Sequence, residues 1–146
     1  MITIPFAAYP FRFQDKDNGR YIYDIIRKKY VLLTPEEWVR QNLLHYLIEQ
    51  QGYPKGLISV EKEIRVNGLK KRYDLVVFSK AMAPWMLVEC KKPQVLITEQ
   101  TLQQLLRYHQ VLQCPFWMLS NGKQHYCGQV SDRQVTWLEA LPEYGG

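Results

Sequence analysis

The chain has 146 residues, 47% hydrophobic and 13% aromatic, and carries a formal net charge of +5. That length fits a single domain with a proper core, and the apolar content excludes a disordered chain. The mild basicity permits a polyanionic partner without requiring one. Cys90, Cys114 and Cys127 are scattered and odd in number, so no disulfide framework is expected, and a reducing, cytoplasmic setting fits. No apolar run approaches the roughly 18 residues of a spanning helix, and Met1-Ile2-Thr3 does not open like a signal peptide, so no membrane partner is expected.

Residues 1–33 read as an aromatic-rich lead-in. Phe11-Arg12-Phe13 and Tyr21-Ile22-Tyr23 alternate around the turn signal Asp17-Asn18-Gly19, which predicts a hairpin. Arg27-Lys28-Lys29 follows, either as a solvated charge run or as a grip on phosphates ahead of the next helix. That helix has the clearest start in the chain. Thr34 as N-cap, Pro35 at N1 and Glu37 at N3 form a capping box, and Val39, Leu43, Leu44, Leu47 and Ile48 supply an apolar stripe that ends before Gly52. The cap explains Glu37, and the helix dipole explains Glu36, without any catalysis.

Leu57 to Arg65 alternates as a strand, and Asn67-Gly68 turns the chain back through Leu69 to Phe78. Lys62, Arg65, Lys70, Lys71 and Arg72 gather around this turn, as a charged edge that blocks strand pairing or as a basic rim beside a cleft. The apolar runs Leu75 to Phe78 and Trp85 to Val88, separated by a turn signal from Ser79 to Pro84, predict antiparallel neighbours. This pairing brings Asp74 within reach of Glu89. Strand alternation puts Glu89 and Lys91 on one face, with Cys90 on the other. Two carboxylates and a lysine at the end of a hydrophobic sheet are costly unless something uses them, and a divalent cation would. Taken alone, Glu89-x-Lys91 is more often a solvated surface pair than a site. It is the upstream Asp74 that turns the reading toward a hard-cation site with an adjacent cationic side chain.

Beyond Pro93, residues 98–113 predict a helix that buries Leu102, Leu105, Leu106 and Val111 and places Gln104 and Tyr108 one turn apart. Pro115 to Leu119 and Gln124 to Val130 read as strands joined by the turn Ser120-Asn121-Gly122-Lys123. His45, His109 and His125 lack zinc-ligand spacing. The tail from Asp132 is expected to pack through Trp137 and Leu138 and then fray. No phosphate-binding loop is present, so ATP is not an expected partner.

Arg72-Tyr73-Asp74 followed by Val88-Glu89-Cys90-Lys91-Lys92-Pro93 resembles the signature of the PD-(D/E)xK nuclease superfamily. With Arg27 to Val31 and Leu33 to Gln41 upstream, residues 11–128 look like the N-terminal nuclease domain of the restriction subunit of type I restriction enzymes, in a short stand-alone form. Tyr73 stands where the superfamily's proline is usual. The resemblance implies an α/β, restriction-endonuclease-like fold with a mixed, mostly antiparallel central sheet flanked by helices. It also implies a helix carboxylate, Glu36 or Glu37, near the metal. Glu36 shares the face of Val39, Leu43 and Leu47, whereas a cap would occupy Glu37. The backbone carbonyl of Cys90 is implied as a further metal ligand, and Gln104 and Tyr108 as DNA contacts.

The expected activity is hydrolysis of DNA phosphodiester bonds. Asp74 and Glu89 would hold Mg²⁺ or Mn²⁺, Lys91 would act as the catalytic cation, and Arg27, Lys28, Lys29, Lys71 and Arg72 would meet the DNA backbone. The alternatives are a non-catalytic nucleic-acid-binding or scaffolding module on the same fold, and an enzyme acting on RNA. A protein partner or a homodimer stays open.

Overall fold

The computed structural model describes residues 1–146 except Asn67, Gln113, Arg133 and Gly146, and describes Val66 and residues 108–112 by their backbone alone. The expected Asn67-Gly68 turn therefore lies partly outside the described residues, although Gly68 has the left-handed φ of 77° that suits such a turn. Two sheets are present. The first has three antiparallel strands, β1 (Phe13–Lys16), β2 (Gly19–Asp24) and β3 (Lys29–Leu32), in that order. The predicted hairpin is its first two strands. The third arises because the basic run Arg27-Lys28-Lys29 turns the chain, with Lys28 at φ 56°, instead of leading straight into the helix.

The second sheet has six strands: β4 (Ile58–Val66), β5 (Leu69–Phe78), β6 (Pro84–Cys90), β7 (Phe116–Ser120), β8 (His125–Ser131) and β9 (Gln134–Trp137). Neighbours follow chain order, and every pairing is antiparallel except β6 with β7. The helix between those two makes the crossover that a parallel pair requires. The protein is thus an α/β fold with a mostly antiparallel mixed sheet and two helices. β9 replaces the expected loose tail. Beyond it the Tyr144 hydroxyl donates to the Phe78 carbonyl, and Pro142 accepts from Tyr53, so the tail is pinned instead of fraying.

α1 (Pro35–His45) begins where the capping signal put it: the Thr34 hydroxyl accepts from the Glu37 amide at 3.0 Å. It continues as a π-helical turn over Tyr46–Gln50. Its apolar stripe, Val39, Leu43, Leu44 and Leu47, packs with Leu75, Val77, Met86, Val88 and Met118 on one side of the six-stranded sheet. α2 (Glu99–Leu112) lies on the other side, where Leu102 and Leu105 pack with Trp117 and Leu119. Gly128 lets the fully buried Trp117 lie flat on β8, since a Cβ there would meet the indole at 2.5 Å. Both sides of the central strands are covered, which explains their continuous apolar runs.

Strict alternation fails at the β5–β6 bulge, where Val77 pairs with Met86 and Phe78 with Pro84, and again at Asp74. Tyr73 packs with Val76 and Leu87, while Leu75 and Val77 belong to the cluster under α1. Asp74 also turns to the α1 side, where Arg40 meets it, so residues 74 and 75 share a side. The β4–β5 ladder passes from the Val60–Leu75 pair to the Lys62–Tyr73 pair, and the intervening Glu61 has φ 55°. For a residue other than glycine this is an uncommon conformation, and such local strain accompanies a re-aimed side chain.

Candidate metal and nucleic-acid site

The β5–β6 pairing brings the two candidate carboxylates together at the end of the sheet, one register step beyond Leu75 and Val88. The Cys90 amide donates to Asp74 Oδ2 at 2.8 Å, and Arg40 donates to Asp74 Oδ1 at 2.7 Å. Each carboxylate oxygen therefore keeps a lone pair for another partner. In an extended strand the N–H and C=O of one residue point to the same side. The carbonyl of Cys90 accordingly faces β5, whereas the amide of Lys91 turns to β7 and donates to Ser120.

Glu89 and Lys91 line one pocket of about 50 Å³ together with Lys71, Thr101, Gln104 and Leu105. Among the described residues, Glu89 Oε1 is buried there without a hydrogen-bond partner. Burial, and then the nearby charge of Asp74, raise the pKa of Glu89 to about 7 against the opposing ammonium groups of Lys71 and Lys91. A cation placed beside this acid would favour its charged form again. The Cys90 thiol, fully buried on the opposite side, is held protonated by its burial.

The helix carboxylates take different roles. Glu37, expected to close the capping box, instead accepts from Arg27 and Arg40, both at 2.8 Å, and from Gln41 at 3.1 Å. It is buried, although the Val39–Leu43 spacing favoured Glu36 as the inward residue. Glu36 is half-exposed at 47%, and its pKa is raised by burial first and then by Asp74, with Arg40 and Lys91 opposing. Glu36 thus senses both sides of the site, while the oxygens of Glu37 are already engaged.

Arg40 is the residue that sequence reasoning missed. Its guanidinium joins Glu37 to Asp74 and lies 3.6 Å from Glu61 and 3.7 Å from Glu36. Burial alone would depress its pKa, but Glu37 and the bond to Asp74 raise it further above the usual arginine range. Spacing held a partial signal, because Arg40 is i+3 from Glu37 and i+4 from Glu36. Nothing local announces its bond to Asp74.

Arg27, expected to face DNA, is turned inward. It bonds Asp24 at 2.8 Å and Glu37 at 2.8 Å and lies 3.6 Å from Glu61. Arg27 therefore ties the β2–β3 turn to α1 instead of extending a basic run into solvent. Lys28, Lys29 and Arg72 are exposed, Lys71 lines the Glu89 pocket, and Gln104 reaches the same pocket from α2. The side chain of Tyr108 lies outside the described residues, as do those of His109 and Val111. His45 and His125 are buried, and His125 Nδ1 pairs with the Ser120 hydroxyl at 2.8 Å, a structural placement. Asn121 ties the β7–β8 loop to the segment after Lys91 by donating to the Val95 carbonyl at 2.8 Å.

The donors fit a small hard cation. Two carboxylates and a backbone carbonyl would offer only oxygen donors, and one of those oxygens has no partner among the described residues. Among the described residues no group of three or more His, Cys, Asp or Glu side chains stands together as a ligand set.

Residues 35–142 match the family model described as type I restriction enzyme R protein N terminus. No curated protein matches the chain.

Proposed function

The chain belongs to the type I restriction enzyme R protein N-terminus family, and from that premise we propose that it is a metal-dependent DNA phosphodiesterase with PD-(D/E)xK chemistry on a restriction-endonuclease-like fold. The observation that carries the proposal is Oε1 of Glu89, which among the described residues is buried without a partner, beside Lys91 and within the field of Asp74.

Asp74, Glu89 and the Cys90 carbonyl would hold Mg²⁺ or Mn²⁺, with Glu36 reaching the ion through water. A divalent ion at such a site supplies Lewis-acid activation of water and phosphate. Lys91 offsets the negative charge that grows on the phosphate oxygens, an interaction worth most in the transition state. Lys71 and Gln104, from the opposite walls of the pocket, orient the scissile strand. Arg40 is a positioning residue: it fixes one oxygen of Asp74, while the Cys90 amide fixes the other. The exposed Lys28, Lys29 and Arg72 contribute sequence-independent attraction for the backbone.

Isothermal titration with Mg²⁺ and Mn²⁺ tests the site. Wild type should bind, and Asp74→Asn should bind at least tenfold more weakly, while supercoiled plasmid is nicked by wild type alone. Absence of metal binding in both proteins would remove the catalytic reading and leave a nucleic-acid-binding module on this fold.

A further inference from the structure

The three-stranded sheet has two unlike sides. Cross-strand pairs share a face, and alternate residues of one strand do the same. One side carries Ile22 and Asp24, both fully buried, and Asp24 accepts from Gln41 of α1 at 2.8 Å. Phe13 and Asp15 share that side through their pairings with Ile22 and Arg20.

The other side carries Tyr21, Tyr23, Tyr30 and Leu32 by register, with Lys16 on β1 and with Arg12, whose carbonyl accepts from the Tyr23 amide and extends the ladder. Its aromatic rings are paired with cations. The Arg12 guanidinium lies 3.9 Å from the centre of the Tyr23 ring, Lys16 lies 4.5 Å from that of Tyr21, and Tyr23 meets Tyr30 edge-on at 5.2 Å. These contacts all stay within the lead-in. Arg12, Lys16 and Leu32 are exposed, and the three tyrosines are half-buried. Both strand carboxylates, Asp15 and Asp24, belong to the opposite side.

We propose that this outer face binds single-stranded nucleic acid. Bases stack on the outward plane of the Arg12 guanidinium, which Tyr23 supports from beneath, and on Tyr30 beside it, and phosphates pair with Arg12 and Lys16. The charge is complementary because the face presents cations and no strand carboxylate. The aromatic content decides between partners: a polyanion without flat groups would gain nothing from three tyrosines, and the bases of a duplex are already stacked on one another. Neighbouring strands lie about 4.8 Å apart, which spaces the Arg12–Tyr23 stack and Tyr30 for successive splayed bases. The face lies apart from Asp74 and Glu89, so its binding does not rest on the cleavage reading. Arg27 nonetheless links the β2–β3 turn to α1, and through Glu37 and Arg40 to Asp74.

The test is fluorescence anisotropy of the full chain with a labelled short oligothymidylate in EDTA, where no cleavage occurs, and with a duplex of equal length. Wild type should bind the single strand more tightly than the duplex. Tyr23→Leu should weaken single-strand binding about fivefold or more, the low end of the loss of one stacking platform. Arg12→Gln, at an exposed position expected to fold normally, should reduce the salt dependence by about one unit. Asp74→Asn should bind like wild type. Wild-type affinity and salt slope in Arg12→Gln, together with unchanged affinity in a folded Tyr23→Leu, would overturn the proposal. Displacement of the oligonucleotide by polyglutamate as readily as by unlabelled single strand would overturn it too. Failure of the plasmid assay alone would count only against the cleavage reading.

Discussion

Two charged clusters meet at the same end of the six-stranded sheet and are built on opposite rules. On the α1 side, Asp24, Arg27, Glu37, Arg40 and Asp74 form a chain in which every carboxylate is bonded to a guanidinium. On the α2 side, Glu89 has one buried oxygen without a hydrogen-bond partner among the described residues, in a pocket that Lys71 and Lys91 also line. The residue types are alike, and the satisfaction of their hydrogen bonds is not. A closed network holds geometry, because breaking one of its pairs strands a buried charge. An open one holds free energy in reserve for a ligand, at a cost to the unliganded fold. Asp74 belongs to both: its strained neighbourhood turns it toward Arg40, while its charge still reaches Glu89.

The contrast breaks most visibly at Arg40. Arg40→Met leaves Asp74 and Glu37 facing each other without their shared cation, so unfolding in urea should show a loss of about 3–5 kcal/mol. A loss below about 1 kcal/mol would mean that the α1 network is merely a solvated rim. Next comes Lys91. Lys91→Ala should lower plasmid cleavage by about 10²–10³-fold, a transition-state loss of about 2.7–4 kcal/mol, with the urea midpoint nearly unchanged. Equal loss of folding and cleavage would place Lys91 with the structural cluster.

Glu89 sharpens the comparison through pH. Its folded pKa is raised, so its contribution to stability is fully present below the unfolded value and is lost as pH rises through about 7. The metal-free protein should therefore lose about 1–3 kcal/mol from this group between pH 4.5 and pH 8. In Glu89→Gln that part of the slope should vanish, leaving the variant the more stable protein above neutrality. A wild-type slope in Glu89→Gln would show that Glu89 is already satisfied. The smallest effect is expected at Lys92, which is exposed where Lys91 is half-buried. Lys92→Ala should change stability by less than about 0.5 kcal/mol and leave the cleavage rate within about twofold, since it removes no transition-state contact.

Local signals were enough for the start of α1, for most strands of the main sheet, and for the convergence of Asp74 with Glu89. A cap, a turn and an apolar alternation each act over a few residues, and each is written where it acts. The shared pocket of Glu89 and Lys91 followed from strand periodicity alone. Other features depended on contacts between distant parts of the chain. Arg40 reads as an ordinary charged helix residue until β5 brings Asp74 to it across 34 positions. Arg27 belongs to an apparent basic run, yet three acidic partners from separate elements draw it inward. β9 and the pinned tail depend on β8 and on Tyr53, neither of which marks the tail sequence itself.

By itself, then, the sequence determined which groups could do chemistry and roughly which faces they occupy, because side-chain type and strand or helix period are local properties. Only the tertiary structure decided which of those charges are spent on one another and which are left available. That division rests on desolvation and on the pairing of residues tens of positions apart, and on the departure from alternation at Asp74 that directs one carboxylate into the closed network and leaves the other open.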